Sequence, residues 1–322
     1  MKKALVVGIN KYPDAPLRGC VNDAQAFSSL IERNEDYSLN FDVMLQTDLQ
    51  RKNALMELIV QLFSGQSETA LLYFSGHGYM NELGGYLVTP DHRRYDEGIA
   101  MNDIITLANS SPATNKIIIL DCCHSGAIAA PVLAPGSPGH INEGITILTA
   151  SRKEEVAMET RGRGIFTNLL LQALEGGAAD ISGTITPAGI YTYIDQALGP
   201  WEQRPVFKTN VSRFTPIRRV QPRIPAGIMK DITSLFPASD TEHQLDPSYE
   251  STNDPRVGHR YVAPFSNDTH TAVFSTLQKM QAAGLVEPVG EKHMYDAAMN
   301  SKTCRLTALG AHYWRLVNEK KI

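Results

Sequence analysis

Two apolar runs break abruptly into polar residues. Thr69–Phe74 leads into Ser75-Gly-His-Gly78, and Lys116–Leu120 leads into Asp121-Cys-Cys-His-Ser-Gly126. Each run is too short for a helix and too continuous for a sheet wetted on one side, so both predict central strands buried on both faces. Shorter runs at Ala4–Ile9, Phe41–Leu45, Gly85–Thr89, Ile145–Thr149 and Pro205–Lys208 predict further strands. Between them the apolar spacing becomes helical. Ala24, Phe27, Leu30 and Ile31 share one face of a helix over 22–33, and Leu55, Leu58, Ile59 and Leu62 share one over 51–63. Helices are also predicted over 101–109, begun by Asn102 or Asp103 as a cap, over 166–174, and from Thr186-Pro187 to Leu198. The alternation predicts an α/β fold with a mostly parallel central sheet covered on both faces. Residues 126–144 are rich in Ala, Pro and Gly without a period and predict a mobile loop.

The pattern changes near Ile217. Residues 221–264 hold six prolines and little periodicity. They read as a linker, which divides the chain into a domain over 1–217, a Pro-rich linker over 218–264 and a small α+β domain over 265–322. In the last part Thr269–Ala283 is an amphipathic helix, Leu285–Val289 and Thr303–Leu306 form a hairpin around a polar loop, and Thr307–Val317 is a final helix. This order is similar to part of a winged helix. Winged helices bind DNA or dock proteins, but residues 265–322 carry seven Lys or Arg against five Asp or Glu, a poor basic footprint for nucleic acid.

Composition narrows the picture. The chain has 322 residues, 43% hydrophobic, with a net charge of -4, which excludes a disordered chain and gives no attraction to nucleic acid or an anionic membrane. Its four cysteines are Cys20, Cys122, Cys123 and Cys304; two are adjacent, which argues against a disulfide framework and for the cytoplasm. No run reaches membrane-spanning length, and the apolar start reads as a first strand.

The polar residues that end the two central runs carry the chemistry. Ligands bind at the carboxyl ends of strands in open α/β sheets. Two parallel strands bring His77 and Cys123 side by side although 46 positions separate them. A thiol becomes a nucleophilic thiolate beside a His, and the glycines flanking His77 permit a sharp turn. His-Gly after one strand and Asp-Cys-Cys-His-Ser-Gly after a later one resemble the caspase-like cysteine peptidases, most closely the bacterial metacaspases. The resemblance runs from Lys3 to about Pro216 and includes Leu17-Arg-Gly-Cys-Val-Asn-Asp-Ala24, Thr149-Ala-Ser-Arg-Lys-Glu-Glu155, Gly164-Ile-Phe-Thr167 and Gln203-Arg-Pro-Val206.

The resemblance implies a caspase-like three-layer fold and an endopeptidase cutting after Arg or Lys. It implies Cys123 as nucleophile, His77 as acid/base, an oxyanion hole from the backbone N–H groups of Gly78 and Cys123, and Asp23 and Asp121 as the acids that hold the basic side chain before the scissile bond. Cys122 is expected to face away as a structural cysteine, and His124 to be structural. Asp23 has a second reading, as a helix cap. Some metacaspases bind calcium, and Asp91, Asp96 and Asp103 supply the right oxygens, yet Ala129 and Ala130 stand where a further acid is sought, so no metal and no cofactor are expected. The expected partners are a protein substrate and a regulatory protein docking on 265–322, with no membrane. The rival functions are a catalytically silent binding module with this fold and a DNA-binding regulator acting through the tail. No Lys or Arg lies between His124 and Ser151, so self-cutting is expected only at Arg161/Arg163 or Arg218/Arg219, and activity as a single chain.

Overall fold

The computed structural model describes residues 1–122, 140–150, 159–160, 163–198, 205–256 and 261–322, with backbone alone at 159–160 and 163–164. It divides into two compact units, Met1–Gln221 and Pro222–Ile322.

The first unit is a six-stranded sheet. Its strands are β1 (Lys2–Gly8), β2 (Phe41–Thr47), β3 (Thr69–Ser75), β4 (Asn115–Asp121), β5 (Ile145–Thr149) and β6 (Val206–Asn210). The spatial order is β6-β5-β4-β3-β1-β2, parallel throughout except for β6. The helices are α1 (Cys20–Glu32), α2 (Lys52–Phe63), α3 (Met101–Ser110), α4 (Ile165–Gln172) and α5 (Pro187–Leu198). Alternate strand residues feed two cores. Leu5, Val7, Leu72, Phe74, Ile118 and Leu120 pack with α2 and α3; Ala4, Val6, Leu71, Tyr73, Ile117 and Ile119 pack with α1, α4 and α5. Burial on both sides is why β3 and β4 are written as unbroken apolar runs. The result is the three-layer α/β fold that the pattern predicts.

Several details differ from expectation. Neither Asn102 nor Asp103 caps α3: Ala100 precedes it, with no side-chain cap. Thr186 does cap α5, accepting from the Gly189 N–H at 3.2 Å. The strand predicted at 85–89 is Gly84–Leu87, the centre of a small antiparallel sheet with Gly78–Asn81 and Ile99–Ala100. Most of the loop expected at 126–144 lies outside the described residues.

The segment read as a linker is folded, and its ends belong to different units. Pro216–Gln221 is tied into the first. Ile217 is fully buried, Arg218–Arg219 pairs with Thr184–Ile185, Arg218 donates to the Leu174 carbonyl at 2.7 Å, and Lys2 and Asn40 hold the Pro216 and Ile217 carbonyls. An enzyme cutting after Arg218 or Arg219 must unzip this strand first, so these positions are poor self-cutting sites. Arg161, and the side chain of Arg163, lie outside the described residues. Residues 222–264 belong to the second unit. His243–Gln244 pairs with the strand Thr303–Leu306, which also pairs with Val286–Val289, and Asn253 donates to the carbonyls of Pro247, Val262 and Pro264. The loop expected between the hairpin strands contains a helix, Met294–Met299, while the flanking helices Asp268–Ala282 and Ala308–Asn318 lie where the periodicity puts them.

Candidate active site

The site grows from the register of β3 against β4. Ser75 pairs with Asp121 at the carboxyl ends of both strands, and the Gly76 N–H still faces the Asp121 carbonyl at 3.4 Å. His77 lies two residues beyond Ser75, and Cys123 two residues beyond Asp121. Cys123 and His124 lie outside the described residues. The register brings the carboxyl ends of β3 and β4, which precede His77 and Cys123 in the sequence, to the same end of the sheet.

His77 is held by its backbone and its ring. Its N–H donates to the Tyr12 hydroxyl at 3.0 Å, which donates to the Val88 carbonyl at 3.2 Å; the His77 carbonyl accepts from the Val88 N–H at 2.9 Å. The Tyr12 ring meets the imidazole edge-on at 4.5 Å. A side chain on Gly76 would stand 2.6 Å from the Tyr12 oxygen, so this turn requires glycine. The imidazole Nε2 lies 2.7 Å from the Ala15 carbonyl. A carbonyl only accepts, so in this contact Nε2 carries a proton and Nδ1 is the nitrogen left free of the Ala15 carbonyl. The loop bearing Ala15 is pinned: Asp48 accepts from the Asn10 and Lys11 N–H groups at 2.8 and 3.1 Å, and Asn10 bridges to Leu17 and Val21.

The acids lie on the other face of the sheet. Asp121 and Asp23 are 8% and 2% exposed. Asp23 rides on α1, whose first turn presses onto β1 because Gly8 has no side chain; a Cβ there would collide with the Cys20 carbonyl. The helix begins at Cys20 after Gly19, so Asp23 sits inside it and the capping reading is removed. The Thr167 hydroxyl, on the first turn of α4, donates to Asp121 Oδ2 at 2.5 Å and lies 2.6 Å from the Tyr73 hydroxyl. Burial pushes the Asp121 carboxyl up to about 6, against the hydroxyl and backbone N–H of Thr167, which pull it down. Burial, then the nearby charges of Asp121 and Asp23, push the Tyr73 phenol well up. Both acids are thus within electrostatic reach of one phenol.

Cys122 is 3% exposed and belongs to the core on the opposite face from Tyr73 and Thr167, as the alternation of strand side chains requires. Gly78 starts the short antiparallel strand directly after His77. Of the three acids weighed for calcium, Asp91 accepts from the Lys52 N–H at the start of α2 and from Thr89, and Asp96 pairs with Lys52 Nζ at 2.6 Å. The sequence reading missed Tyr12, the Ala15 carbonyl, Tyr73 and Thr167. Thr167 was visible within Gly-Ile-Phe-Thr, and Tyr73 was a polar atom inside an apolar run; the carbonyl has no sequence signature.

This fold and this pairing of strand ends define a class, the caspase-type α/β proteins. A family model for the caspase domain matches residues 1–213, and the chain belongs to that family. It is 27% identical over 194 residues to Metacaspase-1B of Aspergillus oryzae, an alignment covering 54% of this chain and 46% of that protein. It is 29% identical over 148 residues to Metacaspase-1 of Meyerozyma guilliermondii, covering 39% of this chain and 35% of the relative. The aligned part thus spans less than half of each of these relatives. Among solved structures, protein GSU0716 from Geobacter sulfurreducens shares the fold with a TM-score of 0.50 at 15% identity, over 69% of this chain and 98% of that one. Among the described residues, no helix is long and apolar enough to cross a membrane.

Proposed function

We propose that this chain is a metacaspase-like cysteine endopeptidase that hydrolyses peptide bonds after Arg or Lys. The observation that carries the reading is the pair of buried acids, Asp23 and Asp121, around Tyr73 at the same sheet end as His77. Two carboxylates in a low-dielectric site favour a guanidinium or ammonium, and a basic side chain held there puts its own carbonyl beside the strand ends.

His77 Nδ1 takes the proton of the Cys123 thiol, and the resulting thiolate attacks that carbonyl carbon. The oxyanion is met by the backbone N–H groups of Gly78 and Cys123, whose donation strengthens as charge develops. The amide C–N bond breaks, His77 delivers the proton to the leaving amine, and a thioester remains. Water deprotonated by His77 then attacks the thioester and releases the acid and the thiol. The Ala15 carbonyl keeps one ring nitrogen protonated so that the other does this work.

The test is a set of fluorogenic peptides varying only the residue before the scissile bond, with Cys123→Ala as control. Cleavage after Arg and Lys, lost in the variant, supports the proposal; cleavage after Asp, or no labelling of Cys123 by a thiol-reactive peptide probe, sinks it. For the second unit we propose docking of a protein partner. Its strand His243–Gln244 pairs with Thr303–Cys304, so a deletion belongs after Gln221 rather than within 222–264. That deletion is expected to leave a folded peptidase with altered regulation.

A further inference from the structure

The acid Asp121 is wired into the fold. Its Oδ2 accepts from the Thr167 hydroxyl at 2.5 Å. A hydroxyl has one proton, so with that proton on Asp121 the 2.6 Å contact between Thr167 and Tyr73 runs from the phenol to the Thr167 oxygen. The order is therefore Tyr73 O–H to Thr167 Oγ1, then Thr167 O–H to Asp121 Oδ2. Thr167 is the third residue of the eight-residue helix α4, and its backbone N–H also donates to Asp121. The carboxyl thus faces the positive end of a helix, where anions are favoured.

We propose that Thr167 and Tyr73 are specificity-determining positioning residues: their relay holds Asp121 as an oriented carboxylate, so that the pocket selects a cation over a neutral side chain of the same shape. This rests on the proposed peptidase reading and deepens it. A buried carboxyl left to itself takes up a proton. A protonated Asp121 still offers hydrogen bonds but no charge, and Arg would lose its advantage. The relay opposes protonation with two donors from Thr167, sharpened by polarisation from Tyr73. Among the described residues, the titratable group beside this carboxyl is Tyr73 on β3, and Asp23 and Cys20 on α1 act on that phenol. Asp23 raises the proton affinity of the Tyr73 phenol, which keeps Tyr73 a hydrogen-bond donor in the relay. Phe27 stacks on the Tyr73 ring at 4.4 Å and fixes the phenol.

The experiment compares two peptides that differ only in Arg or citrulline before the scissile bond. Citrulline keeps the shape and loses the charge, and titration of the Cys–His pair cancels in the ratio of the two kcat/KM values. In the unmodified enzyme the Arg:citrulline ratio should rise with pH through about 6, where Asp121 ionises. Thr167→Val should move that midpoint up by about one pH unit and lower the ratio roughly fivefold at the original midpoint, since a hydrogen bond to a charged group is worth about one to two such units. Thr167→Ser should restore the profile. Tyr73→Phe, which keeps the stacked ring, should move the midpoint in the same direction by less. Melting temperatures identify a variant that fails to fold, and the Tyr73→Phe and Thr167→Ser profiles then decide. A midpoint unmoved in folded Thr167→Val, or unmoved in Tyr73→Phe where Thr167→Val does not fold, overturns the relay and leaves the peptidase reading standing. Failure of the unmodified enzyme to cut the Arg peptide overturns the peptidase reading instead.

Discussion

The surroundings of His77 and of Asp121 lie at one end of one sheet, yet they are built in opposite ways. His77 is half-buried, and its position comes from backbone: the Tyr12 hydroxyl, the Val88 amide and the Ala15 carbonyl. Asp121 is sealed in, and its position comes from side chains and a helix end. On the proposed peptidase reading the two have different work. A group that must exchange protons with substrate and water has to stay wet, so it is clamped from behind. A group that must attract one charge strongly works better dry, where the field is screened least, and it then needs donors to stay ionised.

The largest effect that separates the two regions is loss of chemistry. Cys123→Ala should abolish turnover and His77→Ala should lower kcat by ~10⁴ or more, with KM nearly unchanged, as measured on Arg peptides at saturation. Next, Asp23→Ala and Asp121→Ala should each reduce kcat/KM for Arg peptides by ~10²–10³, the cost of removing one partner of a buried ion pair, while a citrulline peptide loses far less. An equal loss on both peptides would place the two acids in the chemistry and erase the contrast.

Tyr12→Phe comes third. It takes away the acceptor of the His77 N–H and should lower kcat about tenfold with little change in KM, because the ring contact survives. A fourth test uses pH. The folded Asp121 pKa, about 6, lies above its ordinary 3.8, so the folded state binds the proton more tightly than the unfolded chain. Stability at this group is therefore greatest at low pH and falls as pH rises from about 4 to about 6. Asp121→Asn should raise the melting temperature at pH 7 relative to the unmodified protein and lose that advantage below about pH 4, as read by thermal unfolding. Smallest on catalysis, Cys122→Ala should keep most activity and cost about 1 kcal/mol of stability by leaving a small void in the other core.

The sequence made some of this legible. Continuous apolar runs announced β3 and β4, and the polar residues after them marked the end of the sheet that holds the candidate site, because buried parallel strands offer their carboxyl ends to ligands. Helical spacing placed α1, α2 and α5 to within two or three residues. Other features were hidden for physical reasons. The Ala15 carbonyl is backbone and leaves no residue type to read. Thr167 gains meaning only when α4 folds back over β4. Residues 222–264 look like a linker because their order comes from side chain to backbone knots such as Asn253 and from single paired strands, neither of which has a period. Asn102 and Asp103 are good capping residues that stand two and three residues too late.

The strap Pro216–Gln221 bears on where this domain can be cut. The family match ends at residue 213, but the compact unit ends at Gln221. A chain trimmed to the match would uncover the place of Ile217, release the carbonyls that Lys2 and Asn40 hold, and free the edge of Thr184–Ile185. The eight residues that homology leaves off act as the hem of the first unit, and recombining it with other partners requires the seam to fall after them.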